Sequence, residues 1–96
     1  MLRGNKHIKW KKKVLKRDKC CVICKTKDNL EAHHLYSYRH YPDKRYSVRN
    51  GVTLCSFHHE LFHTSYMSSY REKTTRKKFK NFIELLNKIE EHRRQG

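Results

Sequence analysis

The chain has 96 residues, 35% hydrophobic and 34% charged. That leaves room for one domain but not for two independent cores, and a chain this short and polar needs a metal, disulfides or a partner to stay folded. Lys and Arg number 24 against 9 Asp and Glu, a formal net charge of +15, which favours a polyanionic partner and puts nucleic acid first. No stretch approaches the roughly 18 apolar residues of a membrane span, and Met1 to Lys13 lacks the apolar run of about 7 to 15 residues of a secretory signal, so a transmembrane role is excluded, no membrane partner is expected and the cytoplasm is the expected compartment.

Along the chain, Ile8 to Arg17 sets Ile8, Val14 and Leu15 among lysines without Gly or Pro, with Trp10 and Val14 at i, i+4. A short amphipathic helix is predicted, its lysines solvated or facing phosphates. Cys20 to Ile23, compact and partly β-branched, and Leu30 to Leu35, after a polar turn over Lys25 to Asn29, read as two short strands. Tyr36 to Arg49 is polar, basic and aromatic, contains Pro42 and runs into the turn dipeptide Asn50-Gly51, so it reads as a loop. Val52-Thr53-Leu54 is a brief strand, and Ser56 to Ser65 a helix with Phe57, Leu61 and the histidines at helical spacing. From Thr74 to Arg94, Phe79, Phe82, Ile83, Leu86 and Ile89 fall on one stripe of a helix expected to pack back on the domain. Arg93 to Gly96 is expected to fray.

Four cysteines would make two disulfides in a secreted protein, but without a signal segment their clustering with histidines favours reduced thiols and metal ligation. Cys21-x2-Cys24 lets two thiolates of one tight turn approach one ion, and Cys55-x2-His58 supplies a second pair. Together they make the four ligands of a closed tetrahedral zinc site. Cys20 would give a three-residue gap to Cys24 and duplicate Cys21, so it is left out. His59 stands as an alternative to His58. The spacing does not fit a two-Cys, two-His finger, which wants about twelve residues between its pairs, whereas Cys24 to His33 leaves eight.

A second set remains: adjacent His33 and His34 at the end of a strand, Asn50 in a loop, and His59 and His63 on a helix. Strand neighbours face opposite sides, so one histidine of the pair can bind metal while the other faces substrate, and His59 and His63, four apart, share a helix face and half a metal site. Phosphodiester hydrolysis needs a base of near-neutral pKa and a cation to offset charge on the transition state. Without a dense carboxylate cluster, a two-metal design gives way to one ion held by imidazoles.

Cys21-x2-Cys24, the run Leu30 to His34, Asn50, the run Val52 to Cys55, His58-His59 and His63 together resemble the HNH endonucleases, particularly the small zinc-knuckle versions of phages and prophages. The resemblance spans about Trp10 to His63. It implies an α+β, ββα-metal fold with a structural zinc knuckle and flanking N- and C-terminal helices, one domain over residues 1–96 (core about 10–65, C-terminal helix about 74–94). It also implies cleavage of DNA to a 5′-phosphate and a 3′-hydroxyl. Carried over by residue, His33 becomes a metal ligand where Asp is frequent, His34 the general base, Asn50 the brace that orients the base, His59 a metal ligand, and His63 a further ligand found in some members. His58 stands where a fourth cysteine is commoner, which bears on zinc affinity, and His33 in place of Asp suits softer divalent ions. The implied cofactors are structural Zn²⁺ and a catalytic Mg²⁺, Mn²⁺, Ni²⁺ or Zn²⁺.

Between the histidine pair and Asn50, Arg39, Lys44, Arg45 and Arg49 alternate with tyrosines and are the expected DNA contacts, Arg39 as phosphate clamp. His7, His40 and His92 are expected to be surface residues without function. The expected setting is a bacterial or phage-infected host cell, with DNA as partner and room for a homodimer or a larger phage or host DNA-processing complex. The competing class is a non-catalytic zinc-containing nucleic-acid-binding module, which leaves His34, Asn50 and His59 without a task.

Overall fold

The computed structural model describes residues 4–95; Met1 to Arg3 of the cationic N-terminal segment and Gly96 of the segment expected to fray lie outside them. Helix α1 (Asn5–Asp18) buries Trp10 and Val14 on one face. It ends at Lys19, whose left-handed backbone (φ 66°) lets its N–H bond the Leu15 carbonyl, closing carbonyls that would otherwise be orphaned. Strands β1 (Leu30–His34) and β2 (Gly51–Cys55) pair antiparallel, with His33 opposite Val52 and His34 opposite Gly51. Helix α2 (Ser56–Leu61) follows β2 directly and continues as a π-helical turn over Phe62–Tyr66. Helix α3 (Arg76–Gln95) closes the chain. Among the described residues no helix is long and apolar enough to cross a membrane.

Opposed residues of an antiparallel pair share a face, and the two faces of this sheet have different covers. Gly51 and Thr53 meet α1, where the Thr53 hydroxyl donates to the Val14 carbonyl and the Thr53 N–H to the Asp18 carboxylate at 2.9 Å. A Cβ at Gly51 would come within 2.8 Å of Trp10 Cζ2 and closer still to Val14, so glycine is needed there for space, its backbone being ordinarily extended. On the other face Leu54 joins Leu35, Phe62, Met67, Phe79 and Phe82 in the main core, with Val52 against it.

Five expectations change. Cys20 to Ile23 is a turn and not a strand, because two sulfurs three residues apart converge only if the chain folds back; Val22 and Ile23 spend their apolar side chains against the core. The Tyr36–Arg49 segment carries two 3-10 turns, Pro42–Lys44 and Val48–Asn50. Thr74 lies outside α3, buried and donating to the Leu35 carbonyl at 3.2 Å, which pins the approach to α3 onto the end of β1. The α3 stripe packs through Phe79 and Phe82, but Ile89 is exposed, since the helix outruns the core, and Arg93–Gln95 continue it as helix.

Candidate metal centres and catalytic cavity

The knuckle is built from two short-range devices. Lys25, at φ 67°, turns the chain so that its N–H bonds the Cys21 carbonyl at 2.9 Å and folds Cys24 back beside Cys21. Cys55 caps α2, its sulfur accepting the His58 N–H. The result places Cys24 Sγ 3.8 Å from Cys55 Sγ, and His58 Nδ1 3.3 Å from Cys55 Sγ and 3.9 Å from Cys21 Sγ. Ligands around a tetrahedral zinc with bonds of about 2.3 Å to sulfur and about 2.1 Å to nitrogen stand roughly 3.6 to 3.8 Å apart, so the donor set and spacing fit that ion. Burial pushes the Cys21 thiol up, but the amides of Cys24, Cys55 and Ile23 directed at the sulfur outweigh it and hold the pKa below the ordinary thiol value. That favours the thiolate a metal needs. Burial lowers the His58 pKa and keeps that ring neutral.

The second cluster joins both ends of the ββα unit. His33 on β1, His59 on α2 and His63 on the π-helical turn each offer a nitrogen, all within 4.8 Å of one another. His33 and His63 are buried, and His33 Nε2 and His63 Nδ1 have no hydrogen-bond partner among the described residues. A buried polar atom left so costs about 1 to 3 kcal/mol, and two in one three-histidine cluster fit a cation. Burial, reinforced by the neighbouring histidines, holds His33 well below the usual range, and burial with His59 nearby lowers His63 to about 4. Both rings are neutral near pH 7, as ligands must be. The Glu31 carboxylate lies 2.5 Å from His59 Nδ1. An ionised carboxylate only accepts, so Nδ1 carries the hydrogen and Nε2 turns its lone pair to the cluster.

His34 faces the other way, towards α1, as strand alternation requires. Its Nε2 lies 3.0 Å from the Arg45 carbonyl; the carbonyl accepts, so Nε2 donates and the neutral ring keeps its lone pair on Nδ1. Trp10 lies flat against the ring, centroids 3.7 Å apart and planes 11° from parallel. Asn50, buried, donates to the carbonyls of Tyr36 and Lys44 and accepts the Tyr36 N–H at 2.7 Å. It thus ties the two ends of the loop that delivers Arg45 to His34. His33, His34, His59 and His63 all line one cavity of about 330 Å³.

Of the four basic residues expected to contact nucleic acid, only Arg39 lines this cavity. Arg45 donates to the Tyr38 carbonyl at 2.6 Å and lies over the Tyr38 ring, Lys44 sits over Tyr36, and Arg49 is exposed beside α3, its carbonyl bonded by Arg76. His40 and His92 are exposed. His7 is not a plain surface residue: it is half-buried, its ring 5.6 Å from Trp10 and 5.8 Å from His34, because α1 lies across the β1 end. Glu31 and Tyr70 are additions from the structure. Glu31 shares strand parity with His33, a signal the sequence did carry, whereas Tyr70, stacked on His63 at 4.4 Å, comes from a segment without pattern.

A sequence model described as HNH endonuclease matches residues 21–68, from the first knuckle cysteine through both strands and α2 to just past the π-helical turn. No functionally described protein and no solved structure matches the chain. Since the match covers half of the chain and encloses both ligand clusters, this protein belongs to the HNH endonuclease family and has its α+β fold, a two-stranded sheet and a short helix with flanking helices.

Proposed function

We propose that the protein is a metal-dependent endonuclease that hydrolyses DNA phosphodiester bonds, with zinc at Cys21, Cys24, Cys55 and His58 holding the fold and one divalent ion at His33, His59 and His63. The observation that supports it best is the single cavity lined both by three convergent imidazoles, two of them with a buried nitrogen that has no partner among the described residues, and by a fourth, His34, whose outer nitrogen is already committed to a backbone carbonyl. When bound, a divalent ion there supplies positive charge against the charge that develops on the phosphate and leaving oxygen. His34 Nδ1 takes the proton of the attacking water. Asn50 keeps the Arg45 carbonyl in place and so fixes which imidazole nitrogen is basic. Arg39, on the cavity lining, holds a phosphate oxygen, and the net charge of +15 gathers the polyanion. The family chemistry corresponds to a 5′-phosphate and a 3′-hydroxyl product.

The test is supercoiled plasmid incubated with Mg²⁺, Mn²⁺, Ni²⁺ or Zn²⁺ and resolved by topology, open circles reporting nicking and linear product double-strand cutting. His34→Ala is expected to keep zinc content and divalent-ion binding but to lose about 10² to 10⁴ in rate, as general-base removal does. His59→Ala is expected to lose ion binding together with cleavage, and more ion should partly restore it by mass action. Cleavage by His34→Ala at the parental rate would overturn the mechanism and favour a non-catalytic nucleic-acid-binding module.

A further inference from the structure

Helix α1 lies outside the residues that match the family, yet it supplies the closest ring contact of His34. We propose that Trp10 is a positioning residue for cleavage, its indole setting the plane of the His34 imidazole so that Nδ1 is presented to the cavity. The proposal rests on His34 being the base. The Nε2 bond to the Arg45 carbonyl anchors one corner of the ring, a flat indole face 3.7 Å away and 11° from parallel sets its plane on one side, and Tyr38 meets the ring edge-on at 5.4 Å.

The indole can do this because it is itself held. It is 2% exposed, its Nε1 donates to the Ser47 carbonyl at 2.7 Å, and it rests against Gly51, the residue paired with His34 across the sheet. Ser47 and Arg45 belong to one short stretch of backbone, so indole and imidazole are each bonded to the same strap and keep register with one another. Misplacing a reacting group by about 1 Å costs as much as 10² in rate, so a platform of this kind acts on turnover and not on substrate affinity.

Three variants and one double variant test this with plasmid cleavage, divalent-ion titration and thermal melting. Trp10→Leu keeps apolar volume but removes the flat face, and is expected to lower kcat about 10- to 100-fold with KM and divalent-ion affinity unchanged. Trp10→Phe restores a ring and should recover most of the rate. Val14→Ala opens the same buried face of α1 without touching His34, and should lower the melting temperature while leaving kcat near parental. In a His34→Ala background, Trp10→Leu should cost nothing further, because residues that act as one unit are not additive. A parental kcat for Trp10→Leu, an equal kcat loss in Val14→Ala, or additive losses in the double variant would each overturn the proposal. His34→Ala alone, cutting at the parental rate, would instead remove the reading on which it rests.

Discussion

Each imidazole of the His33, His59 and His63 cluster must be neutral to ligate, and burial enforces this for two of them at a cost that depends on pH. The folded chain holds His63 at about 4 and His33 well below its ordinary value, while in the unfolded chain both titrate near 6.5. Below about pH 6.5 the unfolded state therefore binds more protons than the folded one, and stability falls as pH drops through the window down to about 4. In buffers without added divalent ion, chemical denaturation at pH 7 and pH 5 should show a larger loss for the parent than for His63→Gln, which has no proton to take up. Equal losses would contradict a depressed proton affinity at His63. Glu31, drawing the His59 Nδ1 hydrogen, complements this by leaving Nε2 as the nitrogen that the less buried member would offer to an ion.

At the scale of elements, the β1–β2 pair is a sorting device. Alternation sends His33 to the α2 and α3 side and His34 to the α1 side, and cross-strand pairing with Val52 and Gly51 gives each its surroundings. Gly51 is the tightest point, since α1 reaches the sheet only where no Cβ intervenes. Gly51→Ala has an acceptable backbone angle (φ −121°), so its expected cost is steric, about 1 to 3 kcal/mol of overpacking, read as a lower denaturation midpoint. A midpoint within error of the parent would mean that α1 yields without loss. The amphipathic pattern of α1 was legible around Trp10 and Val14, but the glycine that admits the helix read only as half of a turn dipeptide, because its reason lies in a chain segment some forty residues away.

For the whole molecule, the described core is modest and the surface large: 7180 Å², against about 5,900 Å² for a compact monomer of this mass. A staple is therefore expected to carry much of the stability, and the knuckle joins the turn after α1 to the β2–α2 junction. Cys24→Ser, or removal of metal by a strong chelator, should lower the melting temperature sharply and broaden the transition, because binding energy at such a site is also folding energy. Elemental analysis of the untreated protein should find about one firmly held zinc per chain. A stripped protein with an unchanged melt would show that the apolar core suffices alone.

What could be determined from the amino-acid order was whatever depends on near neighbours. Two residues between Cys21 and Cys24, or between Cys55 and His58, bring sulfurs and nitrogens together through a single turn, and three residues between His59 and His63 put both on one helix face, so the knuckle and that histidine pair were legible from spacing, while His33 as their companion came with the family resemblance. The same local logic failed at Cys20 to Ile23, where β-branched residues suggested a strand but convergence of the sulfurs demands a turn. Only tertiary structure decided the surroundings of His34, the proposed base: the Arg45 carbonyl at its Nε2, Asn50 tying down the loop that carries it, and Trp10 against the imidazole face. Those contacts join α1, β1 and a long loop with no periodicity of its own, and their geometry exists only once α1 has docked on Gly51 and the strands have paired.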